Sequence, residues 1–146
     1  RVQTLVMGTN DLAKELRATQ VRGRAPLTPH LATALLAARE AGKVILDGVF
    51  NDVKDLDAFR DECVQGAQMG FDGKTLIHPS QVEIANDVWA PTADEVDYAQ
   101  RVIAAFEEAT TEGRGVITVD GRMIENLHVD NARRVLAVQQ AIESLS

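Results

Sequence analysis

The chain has 146 residues, of which 45% are hydrophobic and 25% are charged. This balance is typical of a folded globular protein and excludes a disordered or collagen-like chain. Asp and Glu outnumber Lys and Arg by 22 to 15, the formal net charge is −7, and the basic residues are scattered along the chain. Because a nucleic-acid surface needs clustered Lys and Arg, we expect no nucleic-acid partner, and an anionic ligand must meet a local positive site.

Three features bear on where the protein works. The longest apolar-leaning stretch, residues 31–38, is far shorter than the roughly 20 residues that a membrane-spanning helix needs, so we expect no membrane span. The single cysteine, Cys63, excludes an intrachain disulfide and fits a reducing compartment, which favours a cytoplasmic location. The chain begins at Arg1 and enters a β-like run directly, which predicts a fragment that lacks its front part.

The first part of the chain alternates predicted strands and helices. Strands are predicted over residues 2–7, 44–46 and 75–77, and helices over 12–17, from an N-cap at Thr28 to Gly42, over 55–69, and after His78-Pro79-Ser80 through Trp89. Parallel strands need helical crossover connections of this length. The pattern therefore predicts an α/β fold with a parallel sheet.

The pattern changes after Ala90-Pro91. Thr92 and Glu95 have the spacing of a capping box, which predicts the start of a long helix that ends near Gly113. Strands over 116–119 and 122–124 flank Asp120-Gly121, a strong hairpin signal, and a last helix is predicted over about 127–143. The sequence thus predicts two parts, the βα units of residues 1–90 and a helix–hairpin–helix appendage of residues 91–146.

Polar residues follow each of the three predicted strands: Asp11 after a Gly-Thr-Asn turn, then Asp47, then His78. A doubly wound sheet would carry a glycine-rich nucleotide loop, whereas a β/α barrel places polar residues at the carboxyl ends of several strands. The barrel fits better. Three βα units cannot close a barrel of eight, so we predict the C-terminal part of a (β/α)8 TIM-type barrel, with the missing units before Arg1.

Several familiar motifs fail. Gly73-Lys74-Thr75 is not a phosphate loop, because Gln68 stands where that loop needs a glycine and the triplet precedes a strand. The dinucleotide, zincin and serine-hydrolase signatures are absent from the sequence, and the three histidines lack zinc-ligand spacing. Cys63 lies in the middle of a predicted helix, on its apolar face, and is predicted to be a core residue.

Four polar residues remain as candidates, and the first three have two interpretations each. Asp11 could reach a hard cation such as Mg²⁺ or cap the helix that follows, and its position alone favours the cap. Asp47 fits an inward polar layer or a substrate contact. His78, which Pro79 holds extended, fits a structural tie or a substrate hydrogen bond. Glu125, taken alone, is a solvated surface charge.

Four motifs match a known family in the family's order. They are G-x-x-D-L from Gly8, D-G-V-F-x-D from Asp47, G-F-D-G-K-T-L-I-H-P-S-Q from Gly70 and G-R-M-I from Gly121. With them, and with Pro91-Thr92 and Glu95 downstream of the third, the chain closely resembles the citrate lyase β-subunit-like family. This family comprises CoA-ester lyases that include malyl-CoA and citramalyl-CoA lyases.

The resemblance implies a Mg²⁺-dependent β/α barrel, with Mn²⁺ as a substitute, that makes or breaks a carbon–carbon bond beside a CoA thioester. A 3-hydroxyacyl-CoA such as malyl-CoA would give an acyl-CoA and a 2-oxo acid. Asp11 is the implied metal ligand, which reverses the preference for the cap. The second metal carboxylate and a substrate-binding arginine are expected upstream of Arg1. The resemblance also implies a homo-oligomer, a trimer or hexamer, whose appendage brings an acid–base residue over a neighbouring site.

That acid–base position is commonly aspartate in the family and is Glu125 here. Glutamate could keep the role or direct a water at the thioester, so a malyl-CoA thioesterase of the same family is the alternative to the lyase. A non-catalytic lyase-like subunit is a third interpretation. Arg22, Arg24 and Lys74 are candidate contacts for the phosphates of CoA, although a role as surface charges fits them equally.

Overall fold

The computed structural model describes residues 2–113 and 116–145. It divides into two compact units, Arg1–Trp89 and Ala90–Ser146. This boundary lies one residue before the predicted one, next to Pro91.

The first unit is an α/β unit with a parallel sheet, as predicted. The sheet order is β1-β2-β3, with Thr4 opposite Val44 and Asp47 opposite Lys74. The elements in chain order are β1 (Thr4–Val6), α1 (Thr9–Leu16), α2 (Thr28–Glu40), β2 (Val44–Asp47), α3 (Leu56–Met69), β3 (Gly73–Lys74), a 3-10 turn (Pro79–Gln81) and α4 (Val82–Trp89).

Several predicted boundaries in this unit are wrong. The first strand is Thr4–Val6 and not residues 2–7. The third strand is Gly73–Lys74 and not residues 75–77, because the backbone N–H of Ile77 bonds to the Gln81 side chain and not to a strand. Helix α1 begins at Thr9, three residues earlier than predicted. Helix α2 is capped by Leu27, so Thr28 is its first residue and not its N-cap.

The core of the first unit consists of two clusters of buried side chains. Leu31 of α2 and Ile45 of β2 are fully buried with Phe71, and Phe59 and Cys63 of α3 pack in a second cluster. Burial is the largest cause that raises the pKa of the Cys63 thiol to about 11. The thiol therefore stays protonated at neutral pH, and the prediction of a core cysteine is confirmed.

The first strand has exposed residues throughout. Leu5 is 38% exposed and Val6 is 55% exposed. Parallel strands are normally covered on both faces by helices and rarely present apolar side chains to solvent. Within the described residues, β1 is thus an edge strand with apolar side chains open to solvent.

The second unit is the predicted helix–hairpin–helix. It consists of α5 (Ala93–Glu112), the antiparallel pair β4 (Ile117–Val119) and β5 (Arg122–Ile124), and α6 (Asn126–Leu145). Asp120 and Gly121 both have positive φ, which the two-residue hairpin turn requires. Val102, Val129 and Ile124 bring the two helices and the hairpin together in one buried cluster.

Among the described helices, none combines the length and the apolar composition needed to cross a bilayer.

The capping box of α5 should make the second unit sensitive to acid. The backbone N–H and hydroxyl of Thr92 both donate to the Glu95 carboxylate and lower the pKa of Glu95, while the Thr92 hydroxyl accepts from the Glu95 N–H. A lowered pKa gives stability that is present above the ordinary pKa of glutamate, about 4.3, and is lost as the pH falls through the lower folded value.

We expect Thr92→Ala to cost about 1 kcal/mol at neutral pH and less in acid. Thermal unfolding followed by circular dichroism, with the exposed Thr118→Ala as control, measures the difference. A loss of stability in Thr92→Ala, relative to the wild type, that grows as the pH falls would contradict this role of the capping box.

Candidate functional site

Loops at the carboxyl ends of β1 and β2 approach one another closely. A Cβ on Gly48 would lie 2.3 Å from Thr9 Oγ1 and 2.8 Å from the Met7 carbonyl oxygen. The amides of Asn10 and Asn51 donate to each other, at 3.0 and 2.8 Å. Glycine at position 48 therefore allows the start of α1 and the loop after β2 to meet along one edge, and a larger residue there would separate them.

This edge forms part of a cavity of about 640 Å³. Its walls come from the start of α1, the segment between α1 and α2, the loop after β2 and one face of α3. The lining residues within these segments include Asn10, Arg22, Arg24, Asn51 and Glu62. The volume is in the range of pockets that hold small molecules and cofactors.

A cluster of four charged side chains lies beside this cavity, centred on Asp47. Asp47 is fully buried and accepts two bonds from Arg24 Nη1, at 2.7 and 2.9 Å, and one from Lys74 Nζ at 2.9 Å. It also accepts the backbone N–H of Gly48 at 2.7 Å. Glu62 completes the cluster, 2.7 Å from Lys74 Nζ and 3.5 Å from Arg24 Nε. Two positive and two negative charges thus neutralise one another.

Arg24 has one donor to spare. Its backbone is in the left-handed region, with φ of 53°, and its side chain is only 6% exposed. Nε donates to Gln65 at 2.9 Å, whereas Nη2 is buried and has no hydrogen-bond partner among the described residues. Because a buried unpaired donor is costly, an acceptor oxygen that reached Nη2 from the cavity would be bound favourably.

The other two predicted phosphate contacts differ sharply in exposure. The side chain of Lys74 is completely buried between two carboxylates, so it offers no surface to a phosphate. Arg22 is exposed and pairs with Asp61 at 2.6 Å, and this hydrogen bond is the main cause that raises the pKa of Arg22. Surface pairs of this kind contribute little and exchange readily.

Asp11 lies in the first turn of α1 and is exposed. The N-cap is Gly8, so the interpretation of Asp11 as the cap is wrong. Its carboxylate has no hydrogen-bond or ion-pair partner within the described part of the chain, and a Cβ on Gly8 would lie only 3.8 Å from its Oδ2. A free, exposed carboxylate beside a glycine is available to an ion or a substrate.

The donor set fits Mg²⁺ in part. Mg²⁺ keeps several waters and needs only one or two protein carboxylates, and Asp11 can provide one. Over residues 2–113 and 116–145, no three His, Cys, Asp or Glu side chains are grouped to hold a metal. Among the described residues, Asp11 therefore offers one free carboxylate to an ion, without a grouped set of further ligands beside it.

His78 caps the 3-10 turn. Its Nδ1 accepts the Ser80 N–H at 3.2 Å and lies 2.8 Å from Ser80 Oγ. The ring is exposed and does not line the cavity. The tie that His78 makes is thus local, to Ser80, and a substrate contact for it stays a prediction.

Glu125 belongs to the second unit, between β5 and α6. It is exposed, and its carboxylate has no hydrogen-bond or ion-pair partner in the part of the chain that the structure describes. Of the seven predicted site residues, the structure brings together Arg24, Asp47 and Lys74. Arg22 lies on the same cavity, and Asp11 follows the cavity residue Asn10.

Sequence reasoning missed three residues that organise this site. Glu62 completes the buried cluster. Asp72 accepts the Ile45 N–H and makes a two-bond contact with Arg39. Gln81, fully buried, accepts the Ile77 N–H and donates to the Phe50 carbonyl oxygen. Asp72 and Gln81 lie in the matched motifs, but Arg39 and Ile45, the partners of Asp72, and Phe50, a partner of Gln81, are distant in sequence. Ile77 lies four residues from Gln81.

Parallel βα units with polar side chains at the strand ends define a class, the α/β proteins whose site lies at the carboxyl edge of a parallel sheet. Within this class, a profile of the HpcH/HpaI aldolase/citrate lyase family matches residues 1–79. The chain belongs to this family. The resemblance noted in the sequence motifs is therefore confirmed.

Two curated relatives illustrate the similarity. A (3S)-malyl-CoA thioesterase of Cereibacter sphaeroides is 54% identical over 142 residues, which is 97% of this chain and 50% of the relative. The citrate lyase subunit beta of Escherichia coli K12 is 36% identical, over 94% of this chain and 45% of the relative. The chain spans about half the length of the curated relatives it matches.

Solved structures agree. The protein CitE from Mycobacterium tuberculosis, in complex with magnesium, acetoacetate and coenzyme A, matches with a TM-score of 0.70 and 30% identity, over 90% of this chain and 50% of that one. A citrate lyase from Burkholderia xenovorans matches with a TM-score of 0.77 and 20% identity, over 97% and 47%. The second match supports the fold alone.

Proposed function

We propose that the protein containing this chain is a Mg²⁺-dependent thioesterase that hydrolyses a 3-hydroxyacyl-CoA such as malyl-CoA to the free hydroxy acid and CoA. The observation that carries the proposal is the 54% identity to a (3S)-malyl-CoA thioesterase over nearly the whole chain. The sequence motifs alone favour a lyase, with the thioesterase as alternative. The difference between 54% and 36% identity favours the alternative.

Asp11 is the proposed Mg²⁺ ligand in this chain. Its carboxylate is exposed and has no protein partner among the described residues, and the CitE structure in the comparison holds magnesium. When bound, the ion supplies a positive charge that orients the substrate oxygens and stabilises developing negative charge. Mn²⁺ is a proposed substitute, because it also favours oxygen ligands.

Glu125 is the proposed general base. Its carboxylate takes a proton from a water whose oxygen bonds to the thioester carbonyl carbon. The carbon–sulfur bond then breaks, and the sulfur leaves with a proton as the thiol of CoA. Overall, one thioester and one water give one carboxylic acid and one thiol. We infer that Glu125 acts on the site of a neighbouring copy in a homo-oligomer, a trimer or hexamer.

The cavity beside the Asp47 cluster is the proposed place for part of the CoA chain. Arg22 has an exposed guanidinium and would exchange Asp61 for a phosphate. Arg24 lines the cavity, and a small movement of its buried guanidinium would let the unpaired Nη2 donate to an oxygen of the ligand. Asp47 and Lys74 would hold Arg24 in position, and the substrate hydrogen bond of His78 stays a proposal.

The remainder of a (β/α)8 barrel is the proposed neighbour of β1. The exposed Leu5 and Val6 of this strand support it, since a barrel covers every parallel strand on both sides. The relatives are about twice as long as this chain, so the second metal carboxylate and the substrate arginine fit in that remainder.

A carbon–carbon lyase is the second candidate. The 36% identity to a citrate lyase beta subunit favours it. In this reaction Glu125 would take the proton of the 3-hydroxyl group, and malyl-CoA would split into acetyl-CoA and glyoxylate. A lyase-like subunit without activity is the remaining alternative.

The products formed by the full-length protein test the proposal. Malyl-CoA with Mg²⁺ is expected to give free CoA thiol and malate in equal amounts, and chelation of the metal should stop the reaction. Acetyl-CoA and glyoxylate as the first products would establish the lyase instead. If malyl-CoA were not consumed with Mg²⁺ or with Mn²⁺, both reactions would be contradicted. The inactive lyase-like subunit would then be the remaining interpretation.

A further inference from the structure

Glu125 is held by its backbone at the start of α6. Its carbonyl oxygen accepts the N–H of His128 at 2.9 Å and that of Val129 at 3.3 Å. Its own N–H donates to Nδ1 of His128 at 3.0 Å. Glu125 is thus the N-cap residue of α6, and the imidazole of His128 bonds to it across the first turn.

The N-terminus of α5, the other long helix of the second unit, is capped in a different way. In α5, the N-cap Thr92 accepts the Glu95 N–H through its hydroxyl, and the Glu95 carboxylate accepts the Thr92 N–H. Both side chains of that capping box are therefore occupied. In α6, the imidazole takes the position of the Glu95 carboxylate, and the N-cap carbonyl oxygen takes the position of the hydroxyl.

The consequence is that the carboxylate of Glu125 takes no part in capping. An acidic side chain at an N-cap usually bonds to the free N–H groups of the first turn. Here the His128 N–H already has a partner, and within the described residues the Glu125 carboxylate has none. The backbone is fixed while the side chain extends into solvent, which suits a residue that must act on a separate molecule.

We propose that His128 is a positioning residue that fixes the direction of Glu125 for proton transfer. The proposal rests on the proposed function for the role of Glu125, and on this chain's own geometry for the role of His128. Because the donor of this bond is the backbone N–H of Glu125, Nδ1 of His128 is its acceptor. The ring therefore acts here as an acceptor, which predicts which substitutions can replace it.

Glutamine can replace that acceptor and alanine cannot. Glutamine at the third helical position of a capping box reaches back to the N-cap N–H. His128→Ala in the full-length protein is expected to lower kcat by about 10- to 100-fold, because small displacements of a reacting group have effects of this size. KM should change little, since His128 does not touch the substrate. His128→Gln should recover kcat to within a few-fold of the wild type.

Amide hydrogen exchange at Glu125 tests the hydrogen bond itself, without any substrate. The amide should be protected in the wild type and His128→Gln, and exposed in His128→Ala. His30→Ala, on an exposed position of α2, is the control and should leave both readouts unchanged. Melting curves of all variants identify the temperatures at which the second unit is folded in each.

Three results would overturn the proposal. Rapid exchange of the Glu125 amide in the wild type would show that its hydrogen bond to His128 does not form. A normal kcat in His128→Ala would show that Glu125 needs no positioning, and failure of His128→Gln to recover kcat despite a protected amide would assign the effect to something other than the acceptor. Absence of wild-type turnover would instead overturn the proposed function, and with it the catalytic role, while the exchange data still report on the hydrogen bond.

Discussion

Replacing Asp47 with asparagine is expected to lower the free energy of unfolding of the first unit by about 3–5 kcal/mol. Breaking a buried ion pair by removing one partner is costly because it leaves uncompensated charge in the interior. Asp47 is fully buried and bonds to both Arg24 and Lys74. Asparagine has nearly the same shape, so the loss would come from the missing charge and not from a cavity.

Urea unfolding followed by the fluorescence of Trp89 measures this effect. Trp89 is the single tryptophan, and its Nε1 donates to the Phe71 carbonyl oxygen inside the first unit. The matched control is Asp61→Asn, which removes the same charge from the exposed pair with Arg22 and is expected to change stability by about 0–1 kcal/mol.

Equal effects of the two substitutions would contradict the structural role of the buried cluster. If Asp47→Asn kept its stability but lost activity in the full-length protein, Asp47 would instead be a substrate contact, the other interpretation of its sequence position. The two outcomes are distinguishable because unfolding is measured without substrate.

Replacing Asp11 with asparagine is expected to lower Mg²⁺-dependent turnover of the full-length protein at least 100-fold. Substituting a residue that hydrogen-bonds to a metal ligand typically lowers metal affinity or activity by about 10- to 100-fold. Substituting the ligand itself should have at least as large an effect. The free energy of unfolding should hardly change, because Asp11 is exposed and has no protein partner among the described residues.

Asp57→Asn is the control for Asp11. Asp57 is also an exposed aspartate in the first turn of a helix, α3, and does not line the cavity. The Asp57→Asn substitution removes the same charge from a similar position in the first turn of a helix, and it should leave turnover unchanged. Direct Mg²⁺ titration adds a readout besides activity: affinity should fall in Asp11→Asn and not in Asp57→Asn. Unchanged Mg²⁺ affinity in Asp11→Asn would show that Asp11 is not a Mg²⁺ ligand.

The sequence predicts the order of elements well because local signals are strong in this chain. Thr92 and Glu95 open α5 as a capping box, and Asp120-Gly121 forms the hairpin turn. The third strand is misplaced because its limits depend on bonds to residues outside 75–77. The Thr75 N–H bonds to the Asp47 carbonyl oxygen and the Ile77 N–H to Gln81, and residues 75–77 alone do not reveal either bond.

The candidate site is harder to read from the sequence than the fold. The motif around Lys74 identifies the family, but Lys74 itself is paired with a carboxylate 27 residues away. The partner of Arg24 is equally unexpected, since Asp47 lies 23 residues further along the chain. Residue type and spacing predict that such charges matter, and only the folded structure separates a buried structural charge from a free one such as Asp11.

Hydrolysis of malyl-CoA in water labelled with oxygen-18 tests the central claim most directly. The full-length protein with Mg²⁺ is expected to release unlabelled CoA and malate that carries one labelled oxygen in the carboxyl group formed from the thioester. This result requires water to attack the thioester while the carbon–carbon bond stays intact. Release of acetyl-CoA and glyoxylate, with the thioester unbroken, would contradict the thioesterase and identify the protein as a lyase.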